Sequence, residues 1–197
     1  GATQARRVAV REAKGEWVAF MDSDDEAESF RLIRYIAALE THPHAIGVSS
    51  PPRYIHPYSA EDAPAYPIES ADIVALEPVY NIFHIAFGMV RRDIAAISIE
   101  GMSEIVIEDW AMALALSRLG SLVNVSEPAA RIHVAANSRS GRLGHEQVRT
   151  ARRDMLAAWF SCMADEVADR VRDRAADWLK SKLDLDRELI IWGGGAG

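Results

Sequence analysis

The spacing of apolar and polar positions changes several times along the chain, and each change marks an element. Residues 5–14 (ARRVAVREAK) set Ala and Val against charge at helical spacing and stop at Gly15, a helix terminator. Residues 16–21 (EWVAFM) are a short apolar run that predicts a strand ending in Asp22-Ser23-Asp24-Asp25. From 29 to 41, Phe30, Ile33, Ile36 and Ala37 recur with Arg31, Arg34 and Glu40 between them. That is an amphipathic helix with the four apolar residues on its buried face, closed by His42-Pro43. Residues 45–50 read as a buried strand. The stretch 51–80 holds six of the eight prolines and reads as a long loop, of a length that usually carries function or motion.

Residues 82–90 (IFHIAFGMV) predict another strand, followed by Arg91-Arg92 and a short helical piece. A helix is expected from Glu108-Asp109 to Leu119, with Gly120 as its stop, then short strands at 121–125 and 130–134. From 145 to 182, Met155, Trp159, Met163, Val167, Val171, Trp178 and Leu179 fall near helical spacing, with arginines and acids interleaved. This segment is either a helix or helical pair packed on the domain, or a peripheral membrane or partner-binding surface. Strands alternate with helices over the first 134 residues, which argues for an α/β layered fold.

Composition narrows the class. With 197 residues, 49% hydrophobic and 12 Gly, the chain can bury a core, and collagen-like or disordered classes are excluded. No run of about 18 apolar residues exists to span a membrane. The net charge of −7 argues against a general grip on nucleic acid. The single Cys162 can form neither an internal disulfide nor a thiolate metal site, and fits a reducing, cytoplasmic compartment. The chain opens on Gly1 and stops on a glycine-rich run after Trp192, so an excerpt of a longer polypeptide is expected.

A strand ending in Asp-x-Asp sets its carboxylates at the carboxyl edge of a sheet, where α/β folds bind ligands. Acids so close repel one another unless a cation sits among them, and hard oxygen ligands suit Mg²⁺ or Mn²⁺. The plain alternative is a polar turn that caps the helix near Ser29. Asp109, at the start of its helix, is expected to have a lowered pKa from the macrodipole, or else merely to cap the helix with Glu108.

The run ARRVAVREAKGEWVAFMDSDD resembles the "ARN…G-E-Y-I-A-F-L-D-S-D-D" stretch of family 2 glycosyltransferases. Arg31-Leu32, Arg91-Arg92, the segment Glu100 to Glu104, Glu108-Asp109-Trp110, Glu127-Pro128, Arg131-Ile132-His133 and Asn137-Ser138 follow in the family's order. The resemblance implies a mixed α/β sheet of GT-A type (Rossmann-like, nucleotide-diphospho-sugar transferase) with flanking helices, incomplete here, plus a C-terminal helical segment. Residues 1–143 would be the C-terminal part of that domain, 144–186 a helical extension and 187–197 the start of a following βα module.

The same resemblance implies transfer of a sugar, with inversion, from a nucleotide-diphosphate sugar to a hydroxyl of a glycan or lipid-linked acceptor. It makes Asp22 and Asp24 the pair that engages Mn²⁺ or Mg²⁺ and the donor, Asp109 the general base and Glu108 its neighbour. His133 matches a histidine that can complete the metal shell, against a plain core or surface role. Arg6 either holds donor phosphates or pairs with the acidic turn. Tyr54, Tyr58, Tyr66 and Tyr80 could line an acceptor groove or simply belong to the loop.

The departures are Arg7 in place of the family's Asn, Met102 in place of Phe, and no "PxYN…DDGS" segment. The implied lack of a donor-binding half leaves a sheet edge open, so self-association and an inactive isolated chain are expected. A degenerate remnant serving as a binding module is the alternative. The tail ELIIWGGGAG resembles the opening of a dinucleotide-binding unit, but no helix or acid follows it.

Overall fold

A computed structural model describes residues 1–100, 102, 107–134 and 145–161, with positions 168, 169, 171, 173, 174 and 177 beyond them. The elements are α1 (Ala2–Glu12), β1 (Trp17–Ala19), β2 (Glu26–Ala27), α2 (Arg31–Thr41), β3 (Ala45–Ser49), β4 (Pro52–His56) and β5 (Ser59–Asp62). There follow α3 (Ser70–Leu76), a 3₁₀ turn (Ile85–Phe87), β6 (Met89–Arg91) and α4 (Arg92–Glu100). The last described elements are α5 (Glu108–Leu119), β7 (Ser121–Asn124), β8 (Ala130–His133) and α6 (His145–Phe160).

Two mixed sheets result, in the orders β1-β6-β3-β7 and β2-β8-β4-β5. β6 runs antiparallel to both β1 and β3, with Val90 opposite Val18 on one side and Gly47 on the other. β3 pairs in parallel with β7, and a register shift between Ala45 and Gly47 lets Ile46 and Val48 enter cores on opposite faces. Ile46 joins Ile73, Leu76, Phe83, Ile99, Met112 and Leu116 under α3, α4 and α5. Val48 joins Tyr35, Met89 and Val123 under α2. In the second sheet β8 lies between β2, antiparallel, and β4, parallel. The acidic turn 22–25 is therefore the strap that carries the chain from the edge of one sheet to the edge of the other.

Three expectations are corrected. The presumed loop at 51–80 contains the β4–β5 hairpin and α3. β5 (SAED) is exposed throughout, so no apolar alternation betrays it. The presumed strand at 82–90 is a 3₁₀ turn followed by the shorter β6. α2 buries Arg31 and Tyr35, and leaves Phe30, Ile33 (71% exposed) and Ile36 outside. The physical reason is hydrogen bonding: Arg31 Nη1 donates to the carbonyls of Phe20 and Phe87, and Tyr35 Oη donates to Phe87 O and pairs with the Ser50 hydroxyl. Polar tips that satisfy buried carbonyls decide which face turns inward.

α6 packs on α5, with Trp159 buried beside Leu114 and with Trp110, Met155, Leu156 and Phe160 around them. Among the described residues no helix is long and apolar enough to cross a membrane, and β1 pairs only with β6. Cys162, Met163, Val167, Trp178, Leu179, the strand expected at 188–192 and the glycine tail lie outside the described residues.

Gly88 joins the 3₁₀ turn to β6, and a Cβ there would stand 2.9 Å from the carbonyl oxygen of His84. That atom is backbone and cannot swing aside. Gly88→Ala is expected to cost about 1–3 kcal/mol of stability in urea denaturation. An unchanged midpoint would refute the close approach.

Candidate active site

The ladder between β1 and β6 extends past both strands and delivers the acidic turn. Arg92 N–H donates to Glu16 O at one end (2.8 Å), and at the other Phe20 N–H donates to Gly88 O (2.9 Å) and Asp22 N–H to Ala86 O (3.0 Å). The chain then turns, Asp25 N–H donating to Asp22 O (3.3 Å). One carboxylate oxygen from each of Asp22, Asp24 and Asp25 lies within 4.8 Å of the others. Burial pushes the Asp25 carboxyl up to about 6, and the charges of Asp24 and Asp22 add to this, while the His133 N–H opposes it. An all-oxygen donor set at this spacing is of the kind that suits a hard divalent cation.

Across the turn stands the start of α5. Arg6, from α1, pairs through Nη2 with Asp22 Oδ1 (3.1 Å) and through Nη1 with Glu108 Oε1 (3.4 Å). Its side chain is only 13% exposed, and that of Glu108 6%. So Arg6 makes the salt bridge to the acidic turn, and one guanidinium ties two carboxylates that are far apart in sequence.

Asp109 lies in the first turn of α5, whose N-cap is Ile107, with no side-chain capping bond. The lowered pKa expected of Asp109 is reversed. Burial raises it, with Glu108 and Asp22 adding, against the Trp110 backbone N–H and Arg6. A raised carboxyl is a stronger base.

His133 presents its backbone N–H to Asp25 Oδ1 (3.3 Å) and its Nε2 to Glu26 Oε1 (3.0 Å). Its ring thus faces Glu26, and the three-carboxylate group does not include it. Arg91 pairs with Asp93, and Arg92 reaches Ala13 O. Arg7 donates to the carbonyls of Ile99 (3.1 Å) and Met102 (2.8 Å), tying α1 to the end of α4. Among the tyrosines, Tyr66 hydrogen-bonds His84 Nε2 (3.1 Å), stacks on its ring and meets Tyr80 edge-on, whereas Tyr58 is fully exposed. Gly101, Ser103, Glu104, Asn137 and Ser138 lie outside the described residues.

Three residues have structural roles that their local sequence does not announce. Arg31 props the end of β1, as above. Glu77, fully buried, accepts the N–H groups of Ile82 (3.1 Å) and Phe83 (2.8 Å). Arg152 reaches the same region from α6. A buried acid just after an apolar helix is a signal that composition hides, since Glu-Pro reads as an ordinary helix stop.

The fold is a GT-A-like mixed α/β arrangement with carboxylates at the end of its edge strand. The chain is similar to S. aureus TarS 1–349 in complex with UDP-GlcNAc, at 14% identity and TM-score 0.64, covering 93% of this chain and 53% of that one. The same protein in complex with UDP gives 16% identity and TM-score 0.59, covering 95% and 53%. A further structure of S. aureus TarS gives 14% identity and TM-score 0.58, covering 94% and 33%. The chain spans about half the length of TarS 1–349. Residues 1–96, just under half of the chain, match the family model described as Glycosyl transferase family 2. None of the curated proteins matches it.

Burial holds the Glu77 carboxyl well above the ordinary carboxylate range, its two N–H donors only partly opposing this. A protonated carboxyl, the form that burial favours here, is nearly isosteric with Gln. Glu77→Gln is therefore expected to stay within about 1 kcal/mol of the parent in thermal unfolding. Glu77→Ala, which strands two buried N–H groups, should cost at least about 2 kcal/mol. Equal losses in the two variants would show that the carboxyl is charged.

Proposed function

We propose that the chain carries the metal-side and acceptor-side residues of a metal-dependent, inverting glycosyltransferase that uses a nucleotide-diphosphate sugar. The observation that carries this reading is the Arg6 bridge between Asp22 and Glu108, which joins the acidic turn to the start of α5. Asp24 and Asp22, with Asp25 beside them, would hold Mg²⁺ or Mn²⁺. The bound cation supplies positive charge against the diphosphate as it leaves.

The acceptor oxygen bonds to the anomeric carbon from the face opposite the diphosphate, whose oxygen takes the electrons of the breaking bond. Asp109 takes the hydroxyl proton, and Glu108, held by Arg6, fixes the turn on which Asp109 sits. The TarS complexes with UDP-GlcNAc and UDP support a nucleotide sugar as donor. A glycan or lipid-linked acceptor, reached by peripheral association at the cytoplasmic face of a membrane, fits this chemistry. Among the described residues β1 pairs on one side only, which supports pairing with another strand.

The metal is tested by Asp24→Asn in the whole protein that carries this chain, with Mn²⁺ and a panel of nucleotide sugars starting from UDP-GlcNAc. Metal-dependent donor binding should be lost in the variant, and a chelator should abolish it in the parent. Donor binding indifferent to both removes the cation from the reading.

Asp109→Asn tests the base. Asn preserves size and polarity but cannot take the proton, so folding and donor binding should stay near normal while kcat falls ~10²–10⁴-fold. Full turnover would return Asp109 to a structural role.

A further inference from the structure

Trp110 follows Asp109 directly and is held from two sides. Its indole N–H donates to the carbonyl oxygen of Glu77 at 2.7 Å. The guanidinium carbon of Arg152 lies 4.8 Å from the centre of its ring. Arg152 also donates through Nη2 to the carbonyl oxygen of Val79. The segment 77–79, the ring of Trp110 and the guanidinium of α6 thus close into one joint at the first turn of α5. Arg152 is half-buried there, and a buried guanidinium costs free energy unless a π face and acceptors receive it. Anchoring α6 does not require it, because Trp159, Met155 and Leu156 already bury an apolar face against Leu114 and Trp110. Asp109 and Trp110 are consecutive residues of the first turn of α5, so a tilt of Trp110 carries Asp109 with it.

We propose that Arg152 is a positioning residue for Asp109, acting through Trp110 to fix the first turn of α5 against the segment 77–79. This rests on the reading of Asp109 as the base. Displacement of a reacting group by about 1 Å costs up to ~10²-fold in rate, so a loosened joint should be visible in turnover.

The test uses Arg152→Met, Arg152→Lys and Arg152→Gln in the whole protein labelled with ¹⁵N-tryptophan. The Trp110 indole resonance is assigned by its loss in Trp110→Phe. In Arg152→Met that resonance should shift and its proton exchange faster, with kcat down about tenfold and the donor KM unchanged. Arg152→Lys, which keeps a cation over the ring, should recover part of kcat. Arg152→Gln keeps a donor for Val79 without the cation, and gives the same reading if the Met variant does not fold. The proposal is overturned if kcat is unchanged in Met and Gln, or if activity merely follows the folded fraction with no rescue by Lys. Failure of the base reading shows separately, as turnover retained by Asp109→Asn, while the Trp110 resonance still reports whether the joint exists.

Discussion

Repulsion among carboxylates is the constraint around which this structure is arranged. Asp22, Asp24 and Asp25 share one turn, and Glu108 and Asp109 face it. Two like charges about 4 Å apart repel by about 4 kcal/mol at the effective dielectric of a protein surface. A free loop would relax by spreading. This one cannot, because Asp22 is the last rung of the ladder to Ala86 and the next residues enter β2 against β8. Strands on both sides hold the acids together, and the Arg6 bridge offsets part of the strain.

Arginine does this work at several points, and its fork of donors explains why. Arg6 spans two carboxylates, Arg31 reaches the carbonyls of Phe20 and Phe87, and Arg7 reaches those of Ile99 and Met102. A lysine offers one point of charge and could not bridge two backbone segments in this planar way. Each of these arginines joins the acidic strand, or the helix beside it, to a part of the chain distant in sequence. Arg7 stands where the family 2 pattern that the sequence resembles has Asn, and its longer side chain closes the end of α4.

What was legible in the sequence was whatever a local period or motif could carry. The helix 108–119 stands where its apolar spacing and Gly120 place it, and the acidic turn ends a strand as its apolar run implied. The illegible parts depend on distant partners. β5 is an exposed edge strand whose only instruction is pairing with β4. The run IFHIAFGMV is buried nearly throughout, and such a run does not reveal whether it is extended or turned. The apolar spacing of α2 points to the wrong face, because Arg31 and Tyr35 are turned inward by hydrogen bonds to the Phe87 carbonyl, more than 50 residues away in sequence. The grouping of Glu77, Trp110 and Arg152 draws on three helices or helix ends and has no local signature at all.

The reversal at Asp109 shows how magnitudes settle a competition that position alone leaves open. A helix N-terminus stabilises a carboxylate by roughly 0.3–1 kcal/mol, which is less than one pKa unit. Withdrawing a carboxylate from water can shift its pKa by up to 3–5 units when burial is complete. At Asp109 the Trp110 N–H and the Arg6 charge act in the helix's direction, yet burial, Glu108 and Asp22 act against them and win. The dipole is constant for any residue in that first turn. Depth is not, and it is set by the packing of α5 against α3, α4 and α6. The basicity of this carboxyl is therefore a property of tertiary structure, set by the elements that seat α5.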